Sequence, residues 1–331
     1  MIRRAVVAAC LAVATVSLRA QPATHTLHVC HAGSLQAAFA EVEKAFTAQH
    51  PGVTIDDVSG GSVTLARRLA TDAQDCDVYA TADYADIDLM LKPARLADYT
   101  VTFAHGRMVL AYLASDPNAQ GIAGAGDFHP PSEIPAASSA WYQKLLAPGV
   151  RIAGAHPFLD PGGYRAHMML DLTERYYKMP GLYNTLLEHY MTPAAGALGK
   201  DFSFQFIYEH SAAATAQRNS AYRYVRLPDG IDLSVVANNP RYAQASVTIP
   251  GLGSAGAAAS VTIQGTRTAW GLTIPRSSAH VDDAIAFVNL LLGPTGTAAL
   301  NANGPTPLVP AVVSRADFAR VPKTLKGVAI E

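Results

Sequence analysis

Residues 26–46 read TLHVCHAGSLQAAFAEVEKAF, and the hydrophobic period changes once in this stretch, at Gly33-Ser34. Thr26 to Cys30 has the alternation and residue types of a β-strand. Beyond the Gly-Ser pair, Leu35, Phe39, Val42 and Phe46 recur at helical steps on one face, and Ser34 stands where an N-cap belongs. The device then repeats. Val53 to Val58 is a second strand, ending in Ser59-Gly60-Gly61-Ser62, and a helix follows through Leu65 and Leu69. Asp77 to Thr81 is a third strand, with a helix from about Tyr84 to Met90. Strands alternating with helices in this way predict an α/β fold with a parallel sheet covered by helices.

Outward from this run the chain divides. Arg107 to Leu113 reads as a strand leaving the first lobe. A second β/α pattern follows: a strand at Val150 to Gly154, a glycine-rich turn at Asp160 to Tyr164, and a helix from Arg165 to Lys178 with Met169, Leu172, Thr173 and Tyr176 inward. Phe204 to Tyr208 and Tyr222 to Leu227 are further strands. Thr268 to Ile274 leads back to the first lobe, where His280 to Leu292 forms an amphipathic helix with Ala284, Phe287, Val288 and Leu291 on its apolar face. The predicted organisation is lobe 1 from 21–105 plus 266–331, lobe 2 from 106–265, and a two-stranded hinge near residues 105 and 266.

The first 20 residues have a basic start at Arg3 and Arg4, an apolar run from Ala5 to Leu18 and a small residue, Ala20, at a plausible cleavage point. This is the pattern of a secretory signal and predicts export to the periplasm; the alternative, lipidation at Cys10, is disfavoured because the apolar run continues well past it. The chain carries 25 Lys and Arg against 26 Asp and Glu, and loss of Arg3, Arg4 and Arg19 with the leader leaves 22 against 26, a formal charge of −4. With no basic stripe, a nucleic-acid partner is not expected. Cys30 and Cys76 survive cleavage, and export permits a disulfide. Cys30 falls late in one strand and Cys76 just before another, so parallel neighbours would hold the thiols apart. Two unbridged buried cysteines are expected.

The strand ends carry the candidate chemistry. Each glycine-serine loop begins a helix, where unpaired N–H groups and the macrodipole favour an anion and a serine hydroxyl adds a donor. Either loop alone could be an ordinary cap, but two on neighbouring strands place Ser34 and Ser62 where open α/β sheets bind ligands. Lobe 2 offers Asp160-Pro161-Gly162-Gly163-Tyr164-Arg165, in which Tyr164 could donate. Asp160 would repel a dianion by about 4 kcal/mol per charge pair at 4 Å and an effective dielectric near 20, which leaves a capping turn as the competing reading. Glu209 raises the same question.

Several stretches, in order and spanning nearly the whole mature chain, resemble the tungstate/molybdate-binding proteins of ABC transporters: LHVCHAGSLQAAF (27–39), HPGV (50–53), DCDVYATADYADI (75–87), VTFAHGRMVLAY (101–112), DPGGYR (160–165), WGLTIP (270–275) and NGPTPLVPA (303–311). The resemblance implies a type II periplasmic binding protein fold, an oxyanion held between the lobes, an ABC permease as partner, no cofactor and a monomer. It also implies that Ser34 and Ser62 donate from their hydroxyls, and that Asp160 and Glu209 bond directly to the tungsten or molybdenum, offsetting the repulsion. Two departures stand out. Gly162 occupies a position where the family usually has cysteine, and His210-Ser211-Ala212 follows Glu209 without the family's arginine, leaving Tyr208 and Ser211 as substitutes. The rivals are a phosphate or sulfate receptor and, from another class, an exported phosphoester-processing enzyme. No HExxH, zinc-spaced Cys/His pairs, GxSxG or P-loop supports the latter.

Overall fold

The computed structural model describes residues 25–122, 141–192, 196–253 and 257–330. The predicted leader, its cleavage point and Cys10 lie outside the described residues. In chain order the strands are β1 (His25–Ala32), β2 (Val53–Gly60), β3 (Val78–Thr81), β4 (Val101–His105), β5 (Met108–Leu113), β6 (Ile152–Ala153), β7 (Tyr190–Met191), β8 (Phe204–Tyr208), β9 (Tyr222–Arg226), β10 (Ser246–Pro250), β11 (Ser260–Gln264), β12 (Ala269–Thr273), β13 (Thr306–Val313) and β14 (Val328–Ile330).

Seven of these form one sheet in the order β14-β13-β4-β12-β3-β1-β2, and five form another in the order β7-β6-β8-β5-β9. The βα run at the N-terminus builds one half of the larger sheet, with β1 parallel to β2 from His25↔Val53 to Ala32↔Gly60 and to β3 at Val29↔Val78. Every residue of β3 and β12 is buried, as expected of central strands covered on both faces. The expected all-parallel sheet is mixed, because β12 runs antiparallel to both β3 and β4. β12 enters from the other sheet and therefore arrives in the opposite direction.

The helices Gln36–Gln49 and Val281–Leu292 cover this sheet. Phe39 and Phe46 meet Phe287 at ring-centroid distances of 6.0 and 5.5 Å, and all four residues predicted for the apolar face of the second helix are buried. The chain passes between sheets after β4 and again before β12. There the two crossings run side by side, with Gly106 N donating to Thr268 O at 3.1 Å and Ala269 paired with His105. On the smaller sheet Trp141, Met169, Leu172 and Phe204 are nearly or fully buried, in one contiguous apolar cluster with the residues under the larger sheet.

Three local expectations are revised. The Asp160-to-Tyr164 segment is the start of the helix Pro161–Tyr177 rather than a turn before it, because Asp160 caps it through Gly162 N and Pro161 sits in the first turn, where a missing N–H costs nothing. The helix expected over Tyr84 to Met90 is a single α-turn, Tyr84–Asp86, continued by a π-helical segment, Ile87–Leu91. Cys30 and Cys76 form a disulfide, with Cα atoms 5.7 Å apart. The chain bends at Asp77, and this folds Cys76 back along β1 instead of leaving it at the far end. The bend is held by the buried Asp77 carboxylate, which accepts from His28 N, Ser278 Oγ, Ala279 N and His280 N.

Candidate functional site

A cavity of about 390 Å³ lies between the two sheets' lobes, lined by Gly33 and Ser34 from one side and by residues including Asp160, Gly162, Tyr208 and Ser211 from the other. Its walls are the starts of helices. Gly33–Leu35 is a 3₁₀ turn leading into the helix Gln36–Gln49, and the helices Pro161–Tyr177 and Glu209–Arg218 begin on the facing wall. First-turn N–H groups and macrodipoles thus converge on one space. Asp160 is the charged residue among the lining residues, and no Lys or Arg belongs to them. An anion here would be held by dipoles and neutral donors.

Ser34 is half-buried and its Oγ accepts from Trp270 Nε1 at 3.0 Å, which leaves the hydroxyl proton to point elsewhere. Its carbonyl accepts from His210 Nε2 at 2.9 Å across the cleft. Burial pushes the His210 imidazole below its ordinary pKa, consistent with a neutral ring donating that bond. Asp160 spends Oδ1 on Gly162 N at 2.7 Å, while Oδ2 lies beside Gly61. Burial raises the Asp160 carboxyl above its usual range, against the lowering effects of the Gly162 N–H and Arg165.

Ser34 and Asp160 therefore meet at one cavity, and the other three predicted residues do not line it. Ser62 is fully buried, with its Oγ accepting from Ala82 N at 3.0 Å. Tyr164 is fully buried and donates across the lobe boundary to Asp83 Oδ2 at 2.9 Å, with Asp86 Oδ1 at 3.3 Å. Glu209 is gripped by Arg226 Nε at 2.5 Å and Arg107 Nε at 3.3 Å. Tyr208 and Ser211, on either side of Glu209, line the cavity instead. Tyr208 is positioned by Arg165 Nη1, which donates to its hydroxyl at 3.0 Å.

The lobes are in contact around this space. Arg67, one turn beyond Ser62, donates to three carbonyls of lobe 2: Phe158 at 2.7 Å, Pro250 at 2.6 Å and Gly251 at 3.0 Å. Arg165 reaches the other way, to Ala82 O at 2.5 Å and Asp83 Oδ2 at 3.0 Å. Sequence reasoning missed Arg67 and Arg165, since their partners across the lobe boundary are carbonyls and a carboxylate distant in the chain. The Arg of the 160–165 stretch was in view without a role.

Two α/β lobes, a double crossing between them and a cleft rimmed by helix N-termini define a two-lobed solute-binding protein. The chain belongs to the family of bacterial extracellular solute-binding proteins, whose model matches residues 27–305. It is 30% identical to an uncharacterized solute-binding protein of Petrotoga mobilis, with 87% of this chain and 85% of that one covered. It is 28% identical to the molybdate/tungstate-binding protein WtpA of Thermococcus kodakarensis, with 91% and 86% covered. Among solved structures, the sulfate-binding protein SubI of Mycobacterium tuberculosis superposes with a TM-score of 0.58 at 17% identity, covering 92% of this chain and 93% of that one. The fold is the type II periplasmic binding architecture.

Proposed function

We propose that this protein captures tungstate or molybdate in the interlobe cleft, outside the cytoplasmic membrane, and passes it as a monomer to an ABC permease. The observation that carries this reading is the cavity lining: helix starts and hydroxyls from both lobes, no cationic side chain, and one carboxylate, Asp160, whose second oxygen is not spent on its cap. A carboxylate is out of place beside an anion that binds by hydrogen bonds alone, and it has a use where the ligand carries a metal centre able to take a further oxygen. The similarity to WtpA supports the same choice. In this reading the anion docks on the Gly33-Ser34 helix start, and Asp160, Tyr208 and Ser211 arrive with closure, so that ligand contacts select the closed form. Ser62, Tyr164 and Glu209 stand behind these groups and join the ligand shell only by exchanging their present partners.

One observation favours a second reading. Burial raises the Asp160 carboxyl, and a protonated Asp160 would donate to a fully deprotonated tetrahedral anion such as sulfate. Calorimetric titration with tungstate, molybdate, sulfate and phosphate separates the two readings, and Asp160→Asn sharpens the comparison. The tungstate reading expects tight binding of the first two anions only, and a loss of at least about tenfold with Asn, since a neutral amide is a poor substitute for a carboxylate ligand. Sulfate binding that survives in Asp160→Asn would establish the second reading.

A further inference from the structure

We infer that His31, Glu43 and Asp57 form a binding site for a zinc-class divalent cation, behind the loop that carries Ser34. The three residues come from β1, the helix Gln36–Gln49 and β2 respectively, and their donor atoms all lie within 4.8 Å of one another. Nothing in the proposed capture of an oxyanion uses them, and none of the three lines the cleft cavity.

The argument begins at the imidazole. His31 is fully buried, and its Nδ1 lies 2.9 Å from Ala32 O. A carbonyl oxygen only accepts, so Nδ1 carries a proton. In the neutral ring this leaves Nε2 as a bare lone pair, yet Nε2 faces Asp57 Oδ1 at 2.7 Å. Two acceptors at that distance repel unless a cation, a second ring proton or a metal, lies between them. Glu43 favours the metal. Its Oε1 is buried and has no hydrogen-bond partner among the described residues, and an unpaired buried carboxylate oxygen is costly. A proton on His31 Nε2 serves Asp57 and leaves Glu43 unserved. A dication at the common point serves all three donors and is neutralised by the two carboxylates.

The surroundings have the form expected around a metal. A ligating histidine normally donates its other nitrogen to a carbonyl, and ligating carboxylates are themselves hydrogen-bonded. Here His31 Nδ1 has Ala32 O, and Asp57 Oδ2 accepts from Gln36 Nε2 at 2.6 Å. One imidazole and two carboxylates suit zinc and its neighbours better than magnesium or calcium, which prefer oxygen alone. Metal–ligand bonds of about 2.0–2.2 Å in a tetrahedral site put donors about 3.3 Å apart, so binding requires His31 Nε2 and Asp57 Oδ1 to separate by about 0.6 Å. Asp57 is partly exposed, which gives an entry path and room for a water as fourth ligand. Three residues downstream of His31 is Ser34, so the cation would pin the two strands and the helix that hold the cleft's first wall.

A second cluster, His25, His280 and Asp283, is more exposed and serves as the internal control. The test is a zinc titration of the metal-stripped full chain by calorimetry, repeated with cobalt to read the visible d–d bands, on wild type, Glu43→Gln, Asp57→Asn and Asp283→Asn. One strong site is expected in wild type and in Asp283→Asn. Zinc affinity should fall by about 10- to 100-fold or more in each of the first two variants, with the cobalt bands altered. The conservative Gln and Asn replacements keep shape, and circular dichroism confirms folding. No strong site in wild type, unchanged zinc affinity in Glu43→Gln, or loss in Asp283→Asn alone would overturn the assignment. Oxyanion titration on the same variants is a separate readout of the cleft.

Discussion

Glu209 occupies the first position of its helix, where a carboxylate complements the dipole, and each of its oxygens faces a guanidinium, from Arg226 and from Arg107. Arg107 also reaches the buried Asp232 at 3.2 Å. A side chain held this way is an anchor for the chain as it leaves the crossing segment. The expected result of Glu209→Gln is a tungstate affinity within about threefold of wild type, set against a much larger loss for Asp160→Ala; a partly exposed pair contributes on the order of 1 kcal/mol or less. Equal losses in the two variants, read by calorimetry, would return Glu209 to the ligand shell. The Asp160 cap was legible because Asp-Pro-Gly-Gly before a helix follows local rules, whereas its place in the candidate site came from the resemblance. The direction of Glu209 was not, because its partners lie 17 and 102 residues away in the chain.

At the scale of elements, the two lobes meet through the ends of helices, and glycine sets how close they come. A Cβ built on Gly61 would lie 2.6 Å from Leu159 O, a backbone atom of the opposite lobe. That carbonyl accepts from Thr64 N at 3.2 Å, in the first turn of the helix Ser62–Ala70. Gly163 plays the matching part inside lobe 2, where a Cβ would lie 2.5 Å from Ala155 O and lock the helix away from β6. Since the Gly61 contact lies between the lobes, Gly61→Ala should penalise their close approach while leaving the packing within each lobe intact. Overpacking of this kind costs about 1–3 kcal/mol, or about 5- to 150-fold in ligand affinity. Calorimetry should show that loss and small-angle scattering a larger radius of gyration, with little change in unfolding midpoint. An unchanged affinity would mean that the close approach is not needed for binding.

Across the whole molecule, the boundary between the lobes buries acids. Tyr164 and Arg165 of lobe 2 meet Asp83 and Asp86 of lobe 1 in a buried network. Burial, then the neighbouring Asp83, raise the Asp86 carboxyl to about 8. Its partner geometry agrees: Thr81 Oγ1, with a single proton, lies within reach of both Asp83 O and Asp86 Oδ2, and a protonated Asp86 can donate to it while Thr81 donates to Asp83 O. An acid raised in the folded state binds its proton more tightly there than in the unfolded chain, so folding is favoured at low pH and loses stability as pH climbs from the unfolded value of 3.8 toward about 8. Urea unfolding of wild type between pH 5 and 8 should show a declining midpoint, and Asp86→Asn should flatten much of that decline. An equal slope in the variant would place the titration elsewhere.

Periodicity and glycine-serine loops act over a few residues, so the first two βα units and the apolar face of Val281–Leu292 were written in the sequence itself. The direction of β12, the Cys30–Cys76 bridge and the choice of Tyr208 and Ser211 over Glu209 and Tyr164 as cavity lining were decided only by the tertiary structure. Each depends on a bend or a pairing between segments distant in the chain, such as Asp77 with residues 278–280 or Arg165 with Asp83. Short-range preferences select the elements. Long-range hydrogen bonds and ion pairs, within the lobes and between them, select which polar groups remain free to meet a ligand.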